Sequence, residues 1–265
     1  MTETISIDGV DLTYEEWGKG DPPLLLLHGF TGSRLDWADV VDTLAADRRV
    51  VAYDQRGHGD SANVGRPAAY TFDRLLADLE AIVEQRSLAP FHLLGHSMGG
   101  VIAMRFAIAH PEQLASLVLM DTAGAPAGQI PQGWVDHVLG VAREKGMGAV
   151  AEMMIKYMSN QPVAPRPAVQ DRIRFKLTNM DADAFAALSA ELNAYPSLLA
   201  GLAGLDLPAT VLVGENDTGL RGGADALAAT IPGAHLVVIP GAGHSPQEDD
   251  PGAWTAALAE HLGRG

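Results

Sequence analysis

Residues 95–99 read Gly95-His96-Ser97-Met98-Gly99, a G-x-S-x-G pentapeptide, and this stretch decides the fold. An apolar strand is predicted directly before it, at residues 91–94, and an apolar helix directly after it, at residues 100–109. A serine between a strand and a helix sits on a tight turn with unfavourable backbone angles, which cost roughly 1–3 kcal/mol. Glycines two residues to either side leave room for neighbouring backbone. The stretch therefore favours a nucleophilic serine over a glycine-rich turn that contains serine by chance.

Composition limits the classes of function. The chain has 265 residues, no cysteine and a formal net charge of −15. The length fits one α/β unit with an insertion, and the lack of cysteine excludes disulfides and a cysteine nucleophile. An acidic chain is repelled by nucleic acid and anionic membranes, so neither is expected as a partner. Without a signal peptide or an apolar run long enough to span a membrane, we expect a cytoplasmic protein with a small-molecule substrate; the oligomeric state stays open.

Short apolar runs alternate with longer helical patterns along residues 1–121 and 206–265. This alternation predicts an α/β fold with a mostly parallel eight-stranded sheet flanked by helices. Four consecutive leucines at 24–27 are typical of a strand covered on both faces, and Asp8-Gly9 is typical of a hairpin turn. The predicted strands are residues 4–7, 12–16, 24–27, 49–53, 91–94, 117–120, 210–213 and 235–239.

The pattern changes over residues 122–205, where no strand is evident. Helical segments near 133–145, 147–159, 167–178 and 182–195 are separated by joints rich in proline and glycine. We predict an all-helical insertion, a cap, between two parts of one α/β core. Its methionine and aromatic side chains either form a small core or line a substrate pocket.

A serine hydroxyl becomes a strong nucleophile only when an oriented base takes its proton. His244 is the candidate base, because glycines precede it in the loop after the last predicted strand. Asp217 follows the preceding strand and is the candidate acid that orients it. Asp121, which also follows a strand, is the main alternative; Glu215 and the acidic cluster 248–250 are weaker ones. Ser97, Asp217 and His244 all follow the carboxyl ends of strands, where open α/β sheets place their sites.

The other histidines are predicted to have different roles. His92 and His235 are expected to pack inside strands, whereas His110 and His261 are expected to be solvated at helical positions. His137 in the insertion is a weaker candidate for contact with substrate. The directions of the side chains at positions 58 and 96 stay open.

His28-Gly29-Phe30-Thr31-Gly32 directly follows the strand of leucines. Backbone N–H groups in such a loop can bind a developing oxyanion together with the amide of the residue after the nucleophile. The predicted oxyanion donors are therefore the amides of Phe30 and Met98, and His28 is expected to brace the loop.

No cofactor or metal is predicted. Residues 57–62 match the spacing of a dinucleotide fingerprint after a strand, but residues 63–67 cannot open the helix that this fingerprint requires. The two glycines at 57 and 59 are expected to form a tight turn instead. No histidine and carboxylate set has the sequence spacing of metal ligands.

The chain resembles the α/β-hydrolase fold superfamily, specifically its small serine hydrolases with a helical cap. The motifs that carry the resemblance are collinear and span nearly the whole chain: His28-Gly29-Phe30, residues 54–61, Gly95 to Gly100, Gly214 to Asp217 and Gly243-His244-Ser245-Pro246. Relatives with aspartate or cysteine as nucleophile are excluded by Ser97.

The resemblance implies a serine hydrolase that cleaves small to medium carboxylic esters or lactones through an acyl-enzyme. Carbon–carbon bond hydrolysis and cofactor-free perhydrolysis on the same triad are the alternatives. Carbon–carbon hydrolases usually carry tryptophan after the histidine, whereas Ser245 stands here. A non-catalytic binding module is the alternative from another class, because a fold alone does not decide function.

Overall fold

The computed structural model describes residues 2–127 and 130–263. The strands are β1 (Thr2–Ile7), β2 (Val10–Trp17), β3 (Leu24–Leu27), β4 (Val50–Tyr53), β5 (Phe91–His96), β6 (Leu114–Met120), β7 (Ala209–Gly214) and β8 (His235–Ile239). The α-helices are α1 (Val41–Leu44), α2 (Phe72–Gln85), α3 (Met98–Ala109), α4 (Gln132–Lys145), α5 (Met147–Met158), α6 (Pro167–Asn179), α7 (Ala182–Ala194), α8 (Leu199–Leu202), α9 (Arg221–Thr230), α10 (Pro246–Asp249) and α11 (Pro251–Leu262). Short 3₁₀ turns precede α1, α2 and β6.

The eight strands form one sheet in the order β1-β2-β4-β3-β5-β6-β7-β8. The pairs β1–β2 and β2–β4 are antiparallel, and every other pair is parallel. The predicted mostly parallel eight-stranded sheet is therefore confirmed. Strands β5, β6 and β7 are consecutive neighbours in the sheet, so the residues that follow their carboxyl ends lie close together.

The four leucines of β3 are completely buried. Leu25 and Leu27 belong to one apolar cluster and Leu24 and Leu26 to another, because side chains alternate between the two faces of a strand. Helices α2 and α3 cover the first face, and α11 covers the second. Burial on both faces explains why this strand carries no polar position.

Turn chemistry explains two other predicted features. Asp8 and Gly9 have φ angles of 49° and 76° and join β1 to β2, as a tight hairpin turn requires. Gly57 and Gly59 have φ angles of 75° and 54° in the turn after β4. Residues 58–66 contain no helix, so the geometry of a dinucleotide fingerprint is not formed there.

Helices α4 to α7 lie between β6 and β7, at the four segments where the sequence predicts them. The described residues between 122 and 205 contain no strand. The division of the chain into a core and a cap domain stays a prediction. We refer to α4–α7, residues 132–194, as the helical insertion.

Two histidine predictions were wrong. His235 is exposed, because β8 is the edge strand of the sheet. His261 is buried rather than solvated, and its ring nitrogens contact the hydroxyls of Thr210 and Ser116 at 2.8 and 2.7 Å. Helical periodicity alone did not indicate that this face of α11 packs on the sheet. The Ser116 hydroxyl also contacts buried His92.

Among the described residues, no helix has both the length and the apolar character needed to cross a bilayer.

Candidate active site

Ser97 stands at the junction of β5 and α3 with φ 52° and ψ −116°. This conformation is rare for a residue with a side chain and costs on the order of 1–3 kcal/mol. The Ser97 N–H donates to the carbonyl of Met120 at 2.9 Å, and the Thr122 hydroxyl donates to the Ser97 carbonyl at 2.8 Å. The Met120 carbonyl and the Thr122 hydroxyl, at the end of β6 and just after it, therefore hold the strained turn in place.

The glycines around Ser97 are required by close packing. A Cβ atom at Gly95 would lie 2.4 Å from the carbonyl oxygen of Gly99. A Cβ atom at Gly99 would lie 2.5 Å from the carbonyl oxygen of His28. Both distances are too short for a side chain, so the G-x-S-x-G spacing follows from the turn itself and from the neighbouring loop after β3.

The three predicted side chains come together beyond the carboxyl ends of the strands. His244 Nδ1 lies 2.6 Å from Asp217 Oδ2, and His244 Nε2 lies 3.1 Å from Ser97 Oγ. Asp217 follows β7, and His244 follows β8. The imidazole thus bridges a carboxylate and a hydroxyl, which is the geometry in which a base can take a proton from serine.

The Asp217 carboxylate is suited to remain ionised. Burial alone would raise its pKa, but the hydrogen bond and positive charge of His244 more than offset this effect and lower the pKa below its ordinary value. The N–H of Leu220 also donates to this carboxylate, at 3.3 Å. An ionised acid on Nδ1 holds the imidazole in the tautomer whose Nε2 is free to accept the serine proton.

Two backbone amides near Ser97 have unused donors. Within the described residues, neither the Phe30 N–H nor the Met98 N–H donates a hydrogen bond. Met98 is the first residue of α3, where the helix dipole adds a partial positive charge. A Cβ atom at Gly29 would lie 3.0 Å from Ser97 Cβ, so the loop that carries Phe30 runs directly beside the serine. Both amides therefore border the serine without a hydrogen-bond partner of their own in the described part of the chain.

His28 braces this loop as the sequence predicts. Its Nδ1 lies 2.8 Å from the carbonyl of Gly29, and its Nε2 accepts the N–H of Gln55 at 2.9 Å. Burial lowers the pKa of His28, so the ring is neutral and can donate from one nitrogen while accepting at the other.

His96 supports the site in a way that the sequence did not indicate. Its Nε2 lies 2.7 Å from the backbone carbonyl of His244, and the two rings are 4.9 Å apart. Burial lowers the pKa of His96 to about 3, so the ring is neutral and donates this hydrogen bond. His96 therefore anchors the backbone of His244, the candidate base for Ser97.

The site opens into three cavities that share His244. The first, of 320 Å³, is lined by Ser97, Phe30 and mainly apolar side chains that include Val101, Ile130 and Leu192. The second, of 100 Å³, is lined by His244 and by residues of α5 and α6. The third, of 480 Å³, is a wider cleft beside Asp217 and the loop after α5. The helical insertion contributes lining residues to all three.

Charged side chains beneath α6 form a cluster that sequence reasoning missed. Lys176 Nζ lies 2.6 Å from Asp36 Oδ1, and both side chains are buried. Arg172 Nε lies 3.0 Å from Glu248 Oε1, and the Arg172 guanidinium also pairs with Asp39. Asp36, Lys176 and Glu248 line the 100 Å³ cavity. These partners are far apart along the chain, so no local pattern could indicate them.

The weaker candidates have other contacts. Glu215 accepts the N–H of Gly241 at 2.8 Å, and Asp249 accepts the N–H of Gly243 at 2.8 Å. Asp250 caps the first turn of α11. His137 on α4 is exposed and does not line the cavity that contains Ser97.

One set of side chains is close enough to be compared with a metal site. The ligand atoms of Asp121, Asp217 and His244 all lie within 4.8 Å of one another, the one such set among the described residues. Sequence spacing gave no sign of it. Both ring nitrogens of His244 are engaged, by Asp217 and by Ser97, which leaves no free imidazole lone pair for an ion. We therefore assign no metal ligand.

Comparison with known proteins identifies the family. Residues 22–251 match the alpha/beta hydrolase fold family, and the chain belongs to it. A curated relative, the 2-succinyl-6-hydroxy-2,4-cyclohexadiene-1-carboxylate synthase of Enterobacter sp., is 34% identical over 92% of each chain. Some curated relatives are longer: the chain spans 42% and 68% of two acetyltransferase components of acetoin-cleaving systems, from Pseudomonas putida and Cupriavidus necator.

Two solved structures resemble the protein over nearly its whole length. A thermophilic esterase from Thermogutta terrifontis has a TM-score of 0.84 and 30% identity, covering 100% of this chain and 98% of that chain. The enol-lactonase from Burkholderia xenovorans LB400 has a TM-score of 0.84 and 26% identity, covering 98% and 100%. The predicted superfamily and its fold are therefore confirmed.

Proposed function

We propose that this protein is a serine hydrolase that cleaves carboxylic esters or lactones of small to medium size. The observation that carries the proposal is the continuous hydrogen-bonded chain from Asp217 through His244 to Ser97, at 2.6 and 3.1 Å, beside two amides with unused donors. Ser97, Asp217 and His244 are the proposed catalytic residues, and the amides of Phe30 and Met98 are the proposed oxyanion donors.

In the first half of the reaction, His244 Nε2 takes the proton from Ser97 Oγ as this oxygen attacks the carbonyl carbon. The carbonyl oxygen becomes negative and accepts hydrogen bonds from the Phe30 and Met98 amides. The imidazolium is stabilised by Asp217, whose pKa is held low by its contact with His244 although burial opposes this. The carbon–oxygen bond to the alcohol then breaks, and His244 donates its proton to the leaving oxygen.

In the second half, His244 accepts a proton from water as the water oxygen attacks the acyl carbon. The bond from this carbon to Ser97 Oγ breaks, the proton returns to the serine oxygen, and the acid is released. The products are one carboxylic acid and one alcohol, or one hydroxy acid from a lactone. The scheme needs no cofactor.

The cavity supports this choice of substrate. The 320 Å³ space beside Ser97 has mainly apolar walls and offers room for a short or medium acyl group. The esterase and the enol-lactonase, at 30% and 26% identity over nearly the whole chain, favour ester and lactone chemistry. We further propose that the helical insertion acts as the cap that shapes the acyl side of the site.

The test is an assay of purified protein against p-nitrophenyl esters of increasing acyl length, a set of lactones, a vinylogous diketone and peracid formation from acetate and peroxide. We expect turnover of esters or lactones, and a loss of about 10⁶-fold in kcat for Ser97→Ala with an unchanged circular dichroism spectrum. Faster turnover of the diketone or of peroxide would replace the proposal with one of these alternatives. Full ester activity in Ser97→Ala would remove the serine mechanism.

Covalent labelling separates an enzyme from a binding module. An organophosphate should form one adduct at Ser97 in the wild-type protein and none in Ser97→Ala, because only an activated serine reacts. A protein that turns over no substrate and also resists labelling would be a module without catalysis.

The role of the acid is tested by Asp217→Asn. The asparagine side chain keeps the shape of aspartate but lacks the negative charge that holds the proton on His244 Nδ1. We therefore expect a loss of about 10⁴-fold in kcat. An unimpaired rate would move the acid's role to Asp121.

A further inference from the structure

Asp121 is the buried acid that the proposed mechanism leaves without a role. It directly follows β6, between the ends of β5 and β7 in the sheet. Its backbone has a φ of 44°, in the left-handed region, and its N–H donates to the carbonyl of Leu212 at 2.9 Å. Its Oδ1 accepts the N–H of Gly214 at 2.9 Å. The side chain is completely buried and lines the cavity that contains Ser97.

The second oxygen of this carboxyl group has an unusual neighbour. Asp121 Oδ2 is buried, and within the described residues no N–H or hydroxyl group donates to it. A carboxylate oxygen of Asp217 lies within 4.8 Å of a carboxylate oxygen of Asp121. Two ionised carboxylates have only acceptors and repel each other, so a hydrogen bond between these two groups requires one proton.

The two acids differ in their surroundings. Asp217 faces His244, accepts the Leu220 N–H and keeps 11% of its side chain exposed. Asp121 has one backbone donor and no exposed surface. Burial raises the pKa of Asp121 well above its ordinary value, and the negative charges of Asp217 and Asp249 add to this effect. The titratable groups that face it are Asp217 after β7, and His244 and Asp249 after β8.

We propose that Asp121 is a carboxylic acid at neutral pH and donates its O–H to the Asp217 carboxylate, as a positioning residue for Asp217. This inference rests on the proposed function for its catalytic consequence. The O–H fixes the rotation of the Asp217 carboxylate so that Oδ2 faces His244 Nδ1. It also keeps a single negative charge next to the imidazole, where two would attract a second proton to the ring.

Matched variants test this role. In Asp121→Asn, the amide oxygen can accept from Gly214 and the NH₂ group can donate to Asp217, so kcat should stay within about threefold of wild type. In Asp121→Ala the donor is lost, the Asp217 carboxylate is free to rotate, and kcat should fall by about 10²-fold with KM little changed. Wild-type kcat should decline at alkaline pH as Asp121 loses its proton, and this decline should be absent in Asp121→Asn.

A second measurement needs no catalysis. In protein labelled with ¹³C at aspartate carboxyl carbons, the NMR spectrum at pH 7 should contain a resonance at the position of a neutral acid that disappears in Asp121→Asn. An Asn variant as impaired as the Ala variant, or a persisting decline at high pH, would overturn the proposal. If the variants do not fold, a wild-type spectrum with only ionised aspartates at pH 7 would overturn it. If the wild-type protein turns over no ester or lactone, the proposed function fails. The NMR spectrum still shows whether Asp121 is protonated, so the two failures can be told apart.

Discussion

Lys176 on α6 and Asp36 after β3 form a buried ion pair, with Nζ 2.6 Å from Oδ1, that joins the helical insertion to the sheet. Burial raises the pKa of Asp36, but the charge of Lys176 outweighs this and keeps it low. The pair lies beside the small cavity that borders His244. The position of α6 over the site therefore depends on a charge pair held away from water.

Removing one member of this pair should be costly. Lys176→Met leaves Asp36 buried without its cation, and we expect a loss of about 3 kcal/mol or more in the free energy of unfolding. The double variant Lys176→Met with Asp36→Leu should recover part of this loss, because no unpaired charge remains. Chemical denaturation of the wild type, Lys176→Met, Asp36→Leu and the double variant measures the cycle. Arg174→Met on the same helix is the control, since its ion pairs are exposed and should contribute little to stability.

Glu248 should make stability depend on pH. Burial raises its pKa to about 7, although Lys176 and Arg172 oppose the shift. The folded protein therefore holds a proton that the unfolded chain has already released, and stability falls as pH rises from about 4.5 to about 7. In Glu248→Gln this part of the decline is absent. The Tm of the variant relative to wild type should therefore increase from pH 5 to pH 8, and an unchanged difference would contradict the raised pKa.

Strain at the serine turn should appear in stability measurements. Because φ is 52° at position 97, Ser97→Gly should stabilise the fold by about 1 kcal/mol relative to Ser97→Ala. Both variants lose the hydroxyl and its contact with His244, so the comparison isolates the backbone conformation. Thermal unfolding of the two proteins decides this, and equal stability would mean that the turn stores no strain.

Acyl-chain selectivity should follow the cavity beside Ser97. Leu192 on α7 lines this space, and Leu192→Trp should reduce its volume. We expect kcat/KM for the longest accepted acyl group to fall by at least about tenfold, with the acetyl ester nearly unaffected. The control is Leu236→Trp on the exposed edge strand β8. An equal loss for all acyl lengths would place the acyl group in another of the cavities.

The strands and the serine turn could be predicted because local chemistry determines them. Four consecutive leucines favour burial on both faces of a strand, and a Cβ atom at position 95 or 99 would lie only 2.4–2.5 Å from a backbone oxygen. The convergence of Ser97, Asp217 and His244 was predicted because parallel strands deliver their carboxyl ends to one edge. The chemical role of these residues, the cap assignment and the cytoplasmic location stay predictions.

The charged cluster and the supporting histidine could not be predicted in this way. Lys176 and Asp36 are 140 positions apart, and His96 and His244 are 148 apart. Nothing in the local sequence around these residues specifies such partners, because tertiary packing brings them together. His261 was misjudged for the same reason: its hydroxyl partners lie on β6 and β7, outside the helix whose pattern was considered.

The imidazole of His244 is 49% exposed and borders both the space beside Ser97 and the wide cleft beside Asp217. The ring therefore forms part of the wall of both cavities and stays in contact with solvent. In the proposed reaction, water from the cleft can reach the imidazole while an acyl group occupies the space beside Ser97.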